Sequence, residues 1–331
     1  MNLKARLTLL VLLCMIVVPV ISVQAQEDVT LTMWTHDGLY VEFFTARAEE
    51  YFAEAHPELN VTLDFQVVAD VQTVVLANIA AGEPLPDMLG MEQGVVPMYM
   101  RDGILADYFV DLTDRIGDDY DRIAEGRWTL YTYDGGIYGV DSGLSTTAYF
   151  YQPAVLESLG IEVPTTWDEV LAAGEIAQEN GTSLNAILGS GDALQMYLLQ
   201  RGVEIFDAEG NFVLGEDENR ALTLDVLNLW REGIDNGAFT PILDSEFWGT
   251  TPIQLYETGA VAGIVMPDWY GDYILKPQAE DMAGQWAIAP MPVWSDGIGY
   301  GTSVWGGTGF GISQASEHID LAWELIQYGF L

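Results

Sequence analysis

Only one of the 331 residues is cysteine, Cys14, and only two are lysine, Lys4 and Lys276. A lone thiol closes no internal disulfide and builds no cysteine metal site. Three histidines, His36, His56 and His318, are scattered along the chain without ligand spacing, so no metal and no other cofactor is expected. Long apolar runs are scarce as well. Residues 7–18 form one, but it is shorter than the roughly 20 residues that a permanent membrane span requires. Basic side chains number 11 against 50 acidic ones, a net charge of −39. That surplus repels nucleic acid and anionic lipid, and it disfavours an anionic ligand unless local arginines or helix N-termini override it. Such acidity also suits salty or acidic surroundings; it bears on solubility and partners rather than on fold.

What is present begins with an address. Lys4 and Arg6 precede the apolar run, and Pro19 and the small-residue site Val23-Gln24-Ala25 follow it, the layout of a cleavable secretory signal over residues 1–25. The exported chain then starts at Gln26 and is destined for the periplasm or the outer face of the cell membrane. Its charge is 9 − 50 = −41, because the signal removes two basic residues and no acidic one. Cys14 lies inside the apolar run behind Leu13, which is not small, so a lipid-attachment site finds no support. The length exceeds the ~250 residues at which single cores stop growing, which predicts two lobes.

Residues 29–33 alternate Val, Thr, Leu, Thr, Met, the period of a half-buried strand, and the loop Trp34-Thr35-His36-Asp37-Gly38 follows. Phe44, Ala48, Tyr51, Phe52 and Ala55 recur at helical spacing before Pro57. Residues 61–67 read as a second strand and 88–91 as a third, after a helical stretch reaching residue 81. This order predicts an α/β lobe with a largely parallel sheet, whose ligands sit beyond the carboxyl ends of the strands, at loops 34–38 and 90–94. In Pro164-Thr165-Thr166-Trp167-Asp168-Glu169, Thr166 and Glu169 have the spacing of a capping box, and Trp167, Val170, Leu171 and Gly174 define one packed face of the helix it starts. Leu222, Val226, Leu229 and Trp230 mark a later helix that runs out at Gly233 or Gly237. No flexible tether separates lobes, so strands or short crossings must join them.

Several segments, in order, resemble the family 1 extracellular solute-binding proteins of ABC importers, the group that includes the maltose-binding proteins. Ala80-Ala81-Gly82-Glu83-Pro84-Leu85-Pro86-Asp87 is similar to that family's entry to a strand, and Asp134-Gly135-Gly136-Ile137-Tyr138-Gly139-Val140 to its "dGkiYGlP" stretch, with Asp141 where proline is usual. Tyr149-Phe150-Tyr151-Gln152, Leu159-Gly160-Ile161 and the Trp167 block form the most specific match, with Gln152 in place of asparagine. Phe206-Asp207-Ala208-Glu209-Gly210 resembles a family hairpin, residues 259–269 a "G-x-W" block, and Trp305-Gly306-Gly307 with Ala322-Trp323-Glu324 the family's ending. The resemblance implies an α/β, two-lobed periplasmic-binding-protein-like fold of type II with the ligand cleft between lobes. Lobe 1 would take residues 26–144 plus 308–331 and lobe 2 residues 145–307, with hinges near 143–147 and 306–311. Glycines 306, 307, 309 and 311 serve either the rotation of closure or else a tight turn or close packing. Family members usually continue further, so the C-terminus reads as truncated, the remainder being expected to recross to lobe 2.

A sugar offers apolar C–H faces and a rim of hydroxyls, so its site needs aromatic platforms and groups that donate and accept hydrogen bonds. Aromatics make up 11% of the chain, with ten tryptophans, and cations are few, which fits a neutral polyol. By resemblance, Trp34, His36 and Asp37 belong to a ligand loop of lobe 1, Glu92 and Gln93 meet sugar hydroxyls, and Trp269 and Trp305 are the platforms. Ser145 and Tyr149 lie near the first crossing. Trp34 fits core packing as well, His36 and Asp37 an Asx-type turn, and Trp248 reads as a packing residue. The expected partners are a small solute and ABC permease subunits, with the protein a monomer and no bond made or broken. Two competing readings are a polyamine ligand, which carboxylates and aromatics also suit, and a secreted glycoside hydrolase, which needs two carboxylates about 5–10 Å apart.

Overall fold

The alternation at the start of the chain builds β1 (Glu27–Thr35), with Val29, Leu31 and Met33 buried on one face. Asp37 caps the helix Gly38–Ala55, its Oδ1 accepting the Leu39 amide at 2.8 Å. Phe44, Ala48 and Phe52 recur every fourth residue on that helix and are its buried stripe. β2 (Leu59–Val67) pairs parallel to β1, and after the helix Val71–Ala81 the chain enters β3 (Met88–Glu92), also parallel to β1. Met88, Leu89 and Met91 are all buried, as in a central strand covered on both faces. The computed structural model describes residues 26–207 and 211–331; the expected signal at 1–25, with Cys14, and residues 208–210 of the expected hairpin lie outside the described residues.

A small hairpin of β4 (Thr132–Tyr133) and β5 (Gly136–Ile137) leads to β6 (Val140–Asp141). There the chain leaves the first sheet. β7 (Thr147–Tyr151), β8 (Asn185–Gly189), β9 (Phe239–Leu243), β10 (Gly263–Pro267) and β11 (Ala287–Pro290) form a second sheet in the order β11-β7-β10-β8-β9. β12 (Thr308–Ile312) returns to the first, antiparallel to both β3 and β6, which gives β2-β1-β3-β12-β6. Each sheet has its own core. Phe44, Phe310 and Trp323 are buried around the first, the last on the closing helix Ile319–Phe330; Trp167, Tyr197 and Phe239 pack together in the second. The helix Trp167–Glu179 starts on the capping box read from the sequence, with the Glu169 amide donating to Thr166 Oγ1 and the Thr166 amide to Glu169 Oε2, both at 3.2 Å.

The two crossings between the sheets run side by side. Thr146 pairs with Val304 as an antiparallel bridge, the Thr147 amide donates to the Ser303 carbonyl at 2.9 Å, and the Trp305 amide to the Ser145 carbonyl at 3.2 Å. Part of the expected second hinge is regular strand instead. Gly309 and Gly311 lie inside β12, where β-carbons would collide with the Tyr131 ring and the Tyr138 carbonyl, so these two glycines serve close packing. Gly306 and Gly307 do take positive φ, +89° and +125°.

Candidate functional site

At the crossings the two halves enclose a cavity of about 460 Å³, within the range of small-molecule sites. The first half contributes His36 and Asp37 from the loop after β1, Tyr40 from the helix that Asp37 caps, and Glu92 from the end of β3. From the second half come Asp192 on the first turn of the helix Gly191–Arg201, Trp248, and Asp268, Trp269 and Tyr273 beyond β10. Ser142, Ser145, Trp305 and Gly306 line it from the crossings themselves.

Three indoles make one wall. Trp248 lies nearly parallel to Trp269, at 18° and 6.2 Å between ring centres, and Trp305 meets Trp269 edge-on at 5.7 Å. The Trp269 indole N–H donates to the Trp305 carbonyl at 2.9 Å, which ties the wall to the second crossing. The first half contributes polar groups. Glu92 Oε2 accepts the Gly94 amide at 2.7 Å; burial pushes the carboxyl's pKa up, Asp192 pushes the same way, and the Gly94 amide and Arg127 oppose them. Burial also lowers the His36 pKa, against the pull of Asp37, so the ring is neutral at neutral pH, and its buried Nδ1 has no protein partner. The Tyr40 hydroxyl, raised in pKa by burial, shares a 2.7 Å hydrogen bond with Ser142 Oγ. Four carboxylates line the cavity, Asp37, Glu92, Asp192 and Asp268, and no lysine or arginine does. Neutral donors and acceptors beside aromatic faces suit a hydroxylated ring, and the carboxylates disfavour an anion.

Of the residues singled out in the sequence, His36, Asp37, Glu92, Ser145, Trp269 and Trp305 come together in this cleft. Three do not. Trp34 packs against the core cluster that holds Val71, Val75 and Leu89, its core reading. Gln93 does not line the cleft; its backbone amide donates to the Gly307 carbonyl at 2.9 Å and its Oε1 accepts from Arg127 at 3.2 Å. Tyr149 is corrected outright: it is 2% exposed and its hydroxyl donates to the Leu184 carbonyl at 2.6 Å. The cleft opens at the start of β7, and at about 3.3 Å per residue the strand has carried position 149 into the lobe core. Trp248, read as packing, is instead 47% exposed and lines the cleft. Tyr40, Ser142, Asp192, Asp268 and Tyr273 went unnoticed. The signal for Asp192 and Asp268 was their place just beyond β8 and β10, the same strand-end rule that picked out Glu92.

Among the described residues no group of three or more His, Cys, Asp or Glu is arranged to hold a metal, and no helix is long and apolar enough to cross a membrane. The sequence matches the family described as bacterial extracellular solute-binding protein over residues 37–330. It is 25% identical to the arabinooligosaccharide-binding protein of Bacillus subtilis (strain 168), a similarity covering 98% of this chain and 76% of that one. The fold is similar to that of the GacH receptor of Streptomyces glaucescens, solved unliganded and with acarbose, at a TM-score of 0.70 and 22% identity over 92% of this chain and 76% of that one. It is also similar to the galacto-N-biose-/lacto-N-biose I-binding protein of the ABC transporter from Bifidobacterium longum, solved with lacto-N-biose, at a TM-score of 0.70 and 20% identity over 92% and 75% of the two chains. These likenesses agree with the two-lobed α/β fold read from the sequence.

Proposed function

The chain belongs to the bacterial extracellular solute-binding proteins, and on that premise we propose that it captures a neutral oligosaccharide between its lobes and delivers it to the membrane permease of an ABC importer. The observation that carries the proposal is the cleft at the two crossings, walled by Trp248, Trp269 and Trp305 and rimmed by carboxylates and hydroxyls from both halves. Indole faces take the C–H faces of a sugar ring, and His36, Asp37, Glu92 and Ser145 take its hydroxyls. The Bacillus subtilis relative makes arabinooligosaccharides the first class to try. Residues 1–25 act as the export signal, lobe 1 comprises residues 26–144 and 308–331, lobe 2 residues 145–307, and the protein works as a monomer.

Capture and release follow from contacts that exist only when the lobes are closed. A ligand that touches both halves shifts the open–closed equilibrium by its differential affinity for the two forms, and an importer that binds the closed form can reverse it. No bond in the sugar changes, which sets this reading against a hydrolase. A polyamine is the second reading, favoured by the four lining carboxylates without a lysine or arginine.

Calorimetry with arabinotriose, lactose and spermidine separates these. Binding of a neutral sugar near the micromolar range, about −8 kcal/mol, is expected, with the sugar recovered intact by chromatography. Binding of spermidine alone, or cleavage of the sugar, overturns the proposal.

A further inference from the structure

We propose that Arg127 is a positioning residue for the cleft: its guanidinium, held by Asp141, clamps the first-lobe ends of both crossings to the loop that carries Glu92. This rests on the cleft being the ligand site. Arg127 lies on the short helix Glu125–Thr129, is 6% exposed and does not itself line the cavity. Its Nε donates to Asp141 Oδ2 at 2.6 Å and its Nη2 to Oδ1 at 3.0 Å, a two-point grip on a fully buried carboxylate. Nη1 reaches Gln93 Oε1 at 3.2 Å, and Nη2 also reaches the Gly306 carbonyl at 3.2 Å. Asp141 ends β6 where the first crossing leaves, Gln93 follows Glu92, and Gly306 lies in the second crossing and lines the cavity. One planar cation therefore bonds the start of the first crossing, the second crossing and the residue that follows Glu92. The backbone repeats the connection: the Gln93 amide donates to the Gly307 carbonyl at 2.9 Å and the Ser142 amide to the Thr308 carbonyl at 3.0 Å.

The surroundings are shaped to this group. At Gly307 a β-carbon would overlap Arg127 Nη2, and its φ of +125° is one that side chains rarely adopt, so glycine there makes room for the guanidinium. The Tyr131 hydroxyl gives Asp141 a further bond at 3.3 Å. A buried ion pair adds little net stability over apolar side chains of similar volume, because desolvation offsets the attraction. What it supplies here is geometry. The Glu92 loop is fixed before the ligand arrives, so less conformational freedom is lost on binding.

The test replaces the pair as a unit, Arg127→Met with Asp141→Leu, and uses the melting temperature to show that the variant folds. Hydrogen exchange of the ligand-free protein is followed by mass spectrometry, and the Kd for arabinotriose by calorimetry. Exchange in peptides spanning residues 92–95 and 304–308 is expected to quicken about tenfold while second-sheet peptides stay unchanged. The Kd is expected to rise about tenfold as the binding-competent fraction falls, with saturating arabinotriose restoring protection. Arg127→Lys, which keeps the charge and loses the fork, should show the same local exchange, and it carries the test should the double variant fail to fold. Unchanged exchange and affinity in the folded variant, or uniformly faster exchange throughout, overturn the proposal. If wild-type protein binds no arabinotriose, the sugar assignment fails on its own, and the local exchange still decides whether the clamp exists.

Discussion

The indole N–H of Trp269 donates to the carbonyl oxygen of Trp305 at 2.9 Å, which fastens the aromatic wall of the second lobe to the crossing that leads back to the first. Ring position and hinge geometry are thereby one constraint. Gly306 sits directly beneath, where a β-carbon would come within 3.0 Å of that same indole nitrogen.

Trp269→Ala removes both the platform and the tie and is expected to weaken sugar binding by at least about 2 kcal/mol, roughly thirtyfold. Trp269→Phe keeps an aromatic face but loses the N–H, so its loss is expected near the ~1 kcal/mol of one hydrogen bond. Calorimetric titration of both variants with the bound sugar decides; equal affinity of Trp269→Ala and wild type would remove Trp269 from the site.

Glu92 sets stability against binding. Burial raises its pKa in the folded chain, so the folded state holds the proton more tightly than the unfolded state, and stability falls as pH rises from the unfolded value, 4.5, through the folded one. Glu92→Gln keeps an acceptor for the Gly94 amide and removes the penalised charge. It is expected to raise the stability at pH 7 by about 0.5 kcal/mol or more, seen as a higher melting temperature, to flatten that part of the pH profile, and to weaken sugar binding by about tenfold or more, the cost of a charge-assisted bond. Melting curves at pH 4 and pH 7 beside a Kd measurement test all three, and a variant less stable than wild type at pH 7 contradicts the assignment.

The first lobe was legible because its opening elements each have one wet face. β1 alternates, the helix Gly38–Ala55 keeps a stripe of Phe44, Ala48 and Phe52, and Asp37 announces its start. The Thr166–Glu169 box was equally plain, since capping depends on residues three apart in sequence. β10 is buried along its whole length and alternates nowhere, so its end was not seen as a ligand-loop site and Asp268 was missed. Tyr149 misled because its distance along β7, rather than its residue type, decides whether it meets the cleft. Arg127 carries no local signal at all: its partners Gln93, Asp141 and Gly306 are brought to it by sheet order.

Away from the cleft, His56 couples the first helix to the last and predicts a pH response of the fold. His56 Nε2 lies 2.6 Å from Glu324 Oε2, which also accepts the Tyr51 hydroxyl at 3.1 Å, and His56 Nδ1 lies 3.2 Å from Glu58. The hydrogen bond to Glu324 raises the His56 pKa above 6.5; burial opposes it, and Glu58 adds to the rise. A histidine whose folded pKa is raised contributes stability in full below its unfolded pKa and loses it as pH climbs through the folded one. Both side chains remain partly exposed, 22% and 32%, so solvent screening holds the contribution to about 1 kcal/mol or less. The melting temperature of wild type should therefore exceed that of His56→Gln by a few degrees at pH 5.5, and the gap should close by pH 8.5. Glu324→Gln should abolish the difference, because the rise in pKa depends chiefly on that carboxylate. A gap that widens with pH would mean that the interaction favours the neutral ring, opposite in sign to the one the geometry requires.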